Sequence, residues 1–157
     1  MSNSDNPIKG KEFQHKIRNI LTREYKIDFK EEVSFPIGFP SKEHRFDCVS
    51  LDKKIVVECK CYSWTESSNS PSAKFSTLNE AVLYFSYLPN TIEKIIAMKK
   101  SINSKRQLSL AQHYVNSNYE LLSDIKVLEY DEENNTFSWI FPQSYWLVIE
   151  YENKKHL

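Results

Sequence analysis

Residues 44–62 read HRFDCVSLDKKIVVECKCY. Val, Ile and Cys dominate both halves, and Asp52-Lys53 falls between them. This predicts a β-hairpin with strands over about 44–51 and 54–62, joined by a two-residue turn. The turn sets the register: Leu51 opposes Lys54, Val49 opposes Val56 and Asp47 opposes Glu58. Side chains alternate along a strand, so Asp47, Glu58 and Lys60 share one face, with Val49 and Val56 beneath them. Directly opposed carboxylates have Cβ atoms roughly 4.5–5.5 Å apart and repel each other. Charges at half-buried positions cost free energy unless they are paired or bind a metal. Either that face meets solvent, or a cation sits between Asp47 and Glu58 with Lys60 beside it. A slip of one residue would separate the pair.

The same alternation sends Cys48, Cys59 and Cys61, with His44, to the opposite face. Positions 44 and 48 lie roughly 13 Å apart along a strand. Four ligands do not converge tetrahedrally on zinc from there. The three cysteines therefore read as buried thiols, suited to a reducing, cytoplasmic setting.

Outward from the hairpin, residues 10–26 place Phe13, Ile17, Ile20 and Leu21 at helical spacing. EEVSFPIGF (31–39) reads as a short strand whose Pro36 suggests an edge or a bulge. SWTESSNSPS (63–72) is a polar loop. Residues 73–88 carry Phe75, Leu78, Val82 and Phe85 on one helical stripe, ended by Pro89. EKIIAMKK (93–100) is a buried strand, and a weaker helix follows over about 106–121. DIKVLEY and TFSWIF flank the turn-rich DEENN as a second hairpin, and SYWLVIEY (144–151) is a final strand. The predicted fold is α/β, a mixed central sheet flanked by helices, in one domain spanning residues 1–157.

Apolar residues make up 40% and charged residues 27% of the chain, which excludes a disordered or membrane-spanning class. No apolar run approaches the roughly 18 residues of a transmembrane helix, and no secretory signal is visible. Two glycines argue against a glycine-rich phosphate loop. The net charge is zero, but its distribution is uneven: residues 94–113 hold five Lys/Arg and no Asp/Glu, whereas 114–157 hold three against eight. A local basic patch, not the total, attracts phosphates.

Asp47, ten intervening residues and then Glu58-Cys59-Lys60 resembles the PD-(D/E)XK nuclease superfamily, which includes many type II restriction endonucleases. The predicted helix and β-β-β-α-β order resemble its αβββαβ core, over about residues 10–100, with about 101–152 as a C-terminal extension. Phe46, not Pro, precedes the aspartate. The resemblance implies Mg²⁺ (or Mn²⁺) held by Asp47, Glu58 and the Cys59 carbonyl, with Lys60 positioning or deprotonating the attacking water. Hard oxygen ligands and retained waters suit that ion. Members often carry an acidic residue on the leading helix after an aromatic. Here Gln14 follows Phe13, able to orient a water or a ligand, or simply an exposed helix-start residue.

Lys74 opens the second helix, where backbone N–H groups favour phosphate; it reads as a DNA-backbone contact or a surface lysine. Lys105 and Arg106, with Lys99 and Lys100, form a basic run that lines a groove or a solvated turn. The expected function is Mg²⁺-dependent hydrolysis of nucleic acid, with double-stranded DNA the expected substrate, in restriction or related defence. A homodimer would cut both strands, with Phe137, Trp139, Phe141, Tyr145 and Trp146 as interface or core. The alternative is an inactive nucleic-acid-binding or protein-interaction domain of the same fold.

Overall fold

Six strands form one mixed sheet in the order β1-β2-β3-β4-β7-β8. The computed structural model describes residues 6–67 and 69–142; the expected strand 144–151, with Tyr145 and Trp146, lies outside them. Chain order is α1 (Pro7–Tyr25), β1 (Phe29–Ile37), β2 (Lys42–Ser50), β3 (Ile55–Lys60), α2 (Ser72–Ser86), β4 (Glu93–Lys99), β5 (Ile102–Asn103), β6 (Leu108–Ser109), α3 (Leu110–Leu122), β7 (Lys126–Asp131) and β8 (Thr136–Phe141). The chain is mixed α/β. β3, β4 and β7 run parallel, while β1, β2 and β8 pair antiparallel with their neighbours.

Helices cover both faces, which is why IVV and KIIAM read as continuous apolar runs. On one side Phe13, Ile17 and Leu21 of α1 meet Cys48, Val57, Ile95, Ala97 and Leu128. On the other, Phe75, Leu78 and Phe85 of α2 and Leu110, Tyr114 and Leu122 of α3 meet Phe46, Val49, Val56, Ile96, Met98 and Val127. Among the described residues, no helix is long and apolar enough to cross a membrane.

Several boundaries differ from expectation by a few residues, and three of them have a clear local reason. α1 starts at Pro7, because the Asn6 side chain accepts the Ile8 N–H at 3.0 Å and Pro7 takes a first-turn position. α3 starts at Leu110 because Ile102 pairs with Ser109 and Asn103 with Leu108 in a small ladder. There Ser109 and Gln112 form a capping box, each side chain accepting the other's backbone N–H at 3.1 and 3.0 Å. The β2–β3 turn spans residues 51–54, wider than two residues. The Ser50 hydroxyl accepts the Ile55 N–H and the Asp52 carboxylate accepts the Lys54 N–H, both at 3.0 Å. The register is nonetheless the expected one: Val49 faces Val56 and Cys48 faces Val57. Pro36 lies on β1, an edge strand of the sheet, where its missing N–H leaves no central ladder bond broken.

Candidate active site

Side-chain alternation breaks where β1 and β2 cross the middle of the sheet. Phe29 packs on the α1 side, but Val33 and Ile37, of the same parity, pack on the α2 side. On β2, Cys48 faces α1 while Phe46 faces α2. The reversal occurs at Glu32, whose φ of 58° is left-handed, beside Asp47 in the ladder between Glu31↔Cys48 and Val33↔Phe46. A left-handed residue turns the strand by what one inserted residue would, without shifting the register.

This break creates the site. The β2–β3 ladder stops at Cys48↔Val57, and the Cys59 N–H goes instead to the Asp47 carboxylate, at 2.7 Å. Glu58 precedes Cys59 on β3 and is 7% exposed. Its carboxyl and that of Asp47 are close enough to share a hydrogen bond. Burial first, then the Asp47 charge, pushes Glu58 up to about 8. Burial also raises Asp47, against the lowering effects of the Cys59 N–H and of Lys60. Lys60 Nζ lies 4.0 Å from Glu58 Oε2, on a side chain 20% exposed. Asp47, Glu58 and Lys60 are therefore brought together as the register implied, in a mostly buried setting and not on a solvent-facing face.

The donor set suits a hard divalent cation. Two adjacent carboxylates whose charges repel, one with an unpartnered buried oxygen, Glu58 Oε1, gain from a cation between them. Among the described residues, no group of three or more His, Cys, Asp or Glu side chains is arranged to hold an ion. A cation here would need the two carboxylates plus a backbone carbonyl, solvent or substrate oxygens.

Gln14 is buried in the middle of α1, 5% exposed, and not a surface residue at a helix start. Its amide donates to Glu31 at 3.1 Å and to Glu32 at 3.3 Å. Glu32 also pairs with Lys11 and, at 2.9 Å, with Arg45, and its charge raises both Asp47 and Glu58. Gln14 thus bears on the carboxylate pair through Glu32.

The basic candidates Lys74 and Arg106 lie against the segment after β3, which carries Tyr62, Ser63 and Trp64. Lys74, in the first turn of α2, donates to the Ser63 carbonyl at 3.3 Å and lies over the Tyr62 ring. Lys105 and Arg106 occupy the β5–β6 turn, where the Asn103 side chain accepts both backbone N–H groups. The Arg106 guanidinium lies 5.4 Å from the centre of the Trp64 ring, which also stacks on His113 at 5.0 Å. Lys100 is paired with Asp131 at 3.3 Å. Phe137 and Trp139 pack against the α1-side core, and Phe141 is buried in the other.

The cysteines are free thiols on the α1 side, Cys48 within that core and Cys59 and Cys61 against it. His44 does not accompany them. The reversal at Asp47 carries it to the α2 side, where it stacks on Tyr84 and meets Phe46. Its Nε2 lies 3.8 Å from Glu58 Oε1. Sequence reasoning did not bring His44 or Glu32 to the pair, because strict alternation does not foresee the reversals at Glu32 on β1 and between Phe46 and Cys48 on β2. Comparison with protein-family models, curated proteins and solved structures finds no match to this chain.

Proposed function

We propose that the protein is a divalent-metal-dependent endonuclease of the PD-(D/E)XK type, hydrolysing phosphodiester bonds of double-stranded DNA. The observation that carries this reading is the buried Asp47–Glu58 pair with Lys60 Nζ 4.0 Å from the Glu58 carboxylate. The element order α1-β1-β2-β3-α2-β4 agrees with the αβββαβ core that the sequence resembles. The ion, Mg²⁺ with Mn²⁺ as a substitute, supplies charge to polarise the phosphoryl oxygen and acidify water.

The chain's own residues do the rest. Asp47 and Glu58 present oxygens on adjacent strands, and the Cys59 N–H fixes the Asp47 carboxylate in place. Lys60 offsets negative charge developing on the phosphoryl group and orients the attacking water. Lys105 and Arg106, near the segment after β3, add phosphate-attracting charge. Such a reading fits a single cut per chain, and a second copy would be needed to cut both strands.

The test is nicking of supercoiled plasmid by the full chain in Mg²⁺, Mn²⁺, Ca²⁺ or EDTA. Cleavage is expected in Mg²⁺ and Mn²⁺, binding with little cleavage in Ca²⁺, and none in EDTA or with Asp47→Asn. Undiminished cleavage in EDTA ends this reading. DNA retention without cleavage in any ion would support instead a binding domain that keeps the fold.

A further inference from the structure

This inference rests on the reading of Asp47 and Glu58 as a divalent-ion site and adds a residue to it. His44 is held in plane by two aromatic neighbours. Its ring centroid lies 3.7 Å from that of Tyr84 on α2, at an interplanar angle of 14°, and it meets Phe46 edge-on at 4.6 Å and 77°. Its Nε2 is buried with no hydrogen-bond partner, and so is the atom it faces, Glu58 Oε1. The two are 3.8 Å apart, beyond hydrogen-bond range.

Folded proteins leave few buried polar atoms unsatisfied. Among the described residues four side-chain atoms are in that position: Arg18 Nε, His44 Nε2, Glu58 Oε1 and Glu129 Oε2. Two of the four face each other beside the carboxylate pair. A third atom between them would satisfy both. Bonds of about 2.0–2.2 Å at a tetrahedral angle set two ligand atoms roughly 3.4 Å apart, so a closure of a few tenths of an ångström lets one ion bind both. With Asp47 turned toward the Cys59 N–H, no ready-made three-residue cluster exists, and the ion itself would complete the set.

We infer that His44 Nε2 is a nitrogen ligand to the ion shared by Glu58 and Asp47, making the site a mixed nitrogen–oxygen one that prefers first-row transition ions to Mg²⁺. Imidazole favours Co²⁺, Ni²⁺ and Zn²⁺, whereas Mg²⁺ takes oxygen donors. The all-oxygen set implied by the sequence resemblance contains no such ligand. The aromatic clamp of Tyr84 and Phe46 serves to present the nitrogen in a fixed orientation, the part that outer neighbours play at metal-ligating histidines.

The test uses the full, metal-stripped chain. Pulsed electron paramagnetic resonance of the Mn²⁺-loaded protein should show ¹⁴N coupling from a directly bound imidazole. That coupling should vanish in His44→Phe, which keeps the ring stack, and in His44→Gln, which keeps a polar group. Titration should show Co²⁺ affinity falling at least about tenfold in both variants, with Mg²⁺ affinity nearly unchanged. Bound Mn²⁺ without that coupling, or unchanged Co²⁺ affinity in both variants, overturns the role of His44 while leaving the carboxylate site standing. If wild type binds no divalent ion and Asp47→Asn alters nothing, the site reading itself fails, and this inference with it.

Discussion

The Asp47 carboxylate accepts the Cys59 N–H at 2.7 Å, so the acid that repels Glu58 also closes the end of the β2–β3 ladder. These two roles separate by substitution. Asp47→Asn keeps a carbonyl oxygen for the N–H and removes the repulsion, so without metal its urea midpoint should equal or exceed that of wild type. Asp47→Ala leaves the N–H unpaired and should lose about 1–3 kcal/mol. If the pair binds a divalent ion as proposed, that ion should stabilise wild type and neither variant. A metal-free Asn variant much weaker than wild type would show that the charge itself is structural.

Glu58 gives the metal-free protein a defined pH dependence. Its carboxyl is pushed up to about 8 from an ordinary 4.5, by burial first and then by Asp47. The folded state therefore holds a proton that the unfolded chain releases, and stability from this source is full below about pH 4.5 and lost as pH rises through about 8. Denaturation between about pH 6 and pH 9 should show falling stability in wild type and a flatter profile in Glu58→Gln. Equal slopes in the two proteins would sink this assignment.

Lys60 is more enclosed than a solvent-directed lysine, with 20% of its side chain exposed. Lys60→Met keeps the aliphatic stem and should fold as wild type, while Lys60→Ala should lose some stability as well. If the protein is the nuclease proposed, cleavage should drop by on the order of 10²–10³ in both, the effect of losing one transition-state charge stabiliser. Removing the ammonium also removes a lowering influence on Glu58, so the pH profile should move to higher pH. Wild-type cleavage by both variants would make Lys60 a bystander.

Gln14 donates to two carboxylates from a buried position. Gln14→Glu places a third acid against Glu31 and Glu32, without the donor that held them. A loss of about 1–3 kcal/mol is expected at neutral pH, shrinking as the solution is acidified and one carboxyl takes a proton. Gln14→Leu should lose stability without that pH relief. If the Glu variant is pH-independent in its loss, the amide acts through packing alone.

Arg106 lies over Trp64 in the β5–β6 turn. If this turn follows a nucleic-acid backbone, Arg106→Ala should weaken DNA binding and lower the slope of log affinity against log salt by about 1. Trp64 fluorescence should respond to DNA in wild type. An unchanged slope would leave the Arg106–Trp64 contact as packing between two loops.

The register of the central hairpin was legible from residues 44–62, because period-two alternation and a polar turn suffice to set Val49 against Val56 and Cys48 against Val57; Asp47 and Glu58 meet just past the end of that ladder. The same holds for the elements themselves: apolar period and runs mark α1, α2, β3 and β4, and the composition of DEENN marks the β7–β8 turn. Local capping set the boundaries that alternation alone misplaced. Asn6-Pro7 and the Ser109–Gln112 box were present in the chain as signals of where α1 and α3 begin.

The surroundings of the carboxylate pair were not legible in that way. A strand's alternation assigns each side chain to a face only while the backbone stays extended, and Glu32 leaves that region at φ 58°. No residue type in EEVSFPI announces the change, since glutamate rarely adopts it. That dihedral re-aims the side chains of β1, while β2 makes its own reversal between Phe46 and Cys48, which sends His44 to the Glu58 side. Packing with α1 and β2 brings Glu32 to Gln14, Lys11 and Arg45. Burial of Glu58 likewise depends on α2 and α3 covering the sheet. Local sequence determined the strand register that brings the two carboxylates near each other; contacts between distant segments decided what encloses them and how strongly they repel.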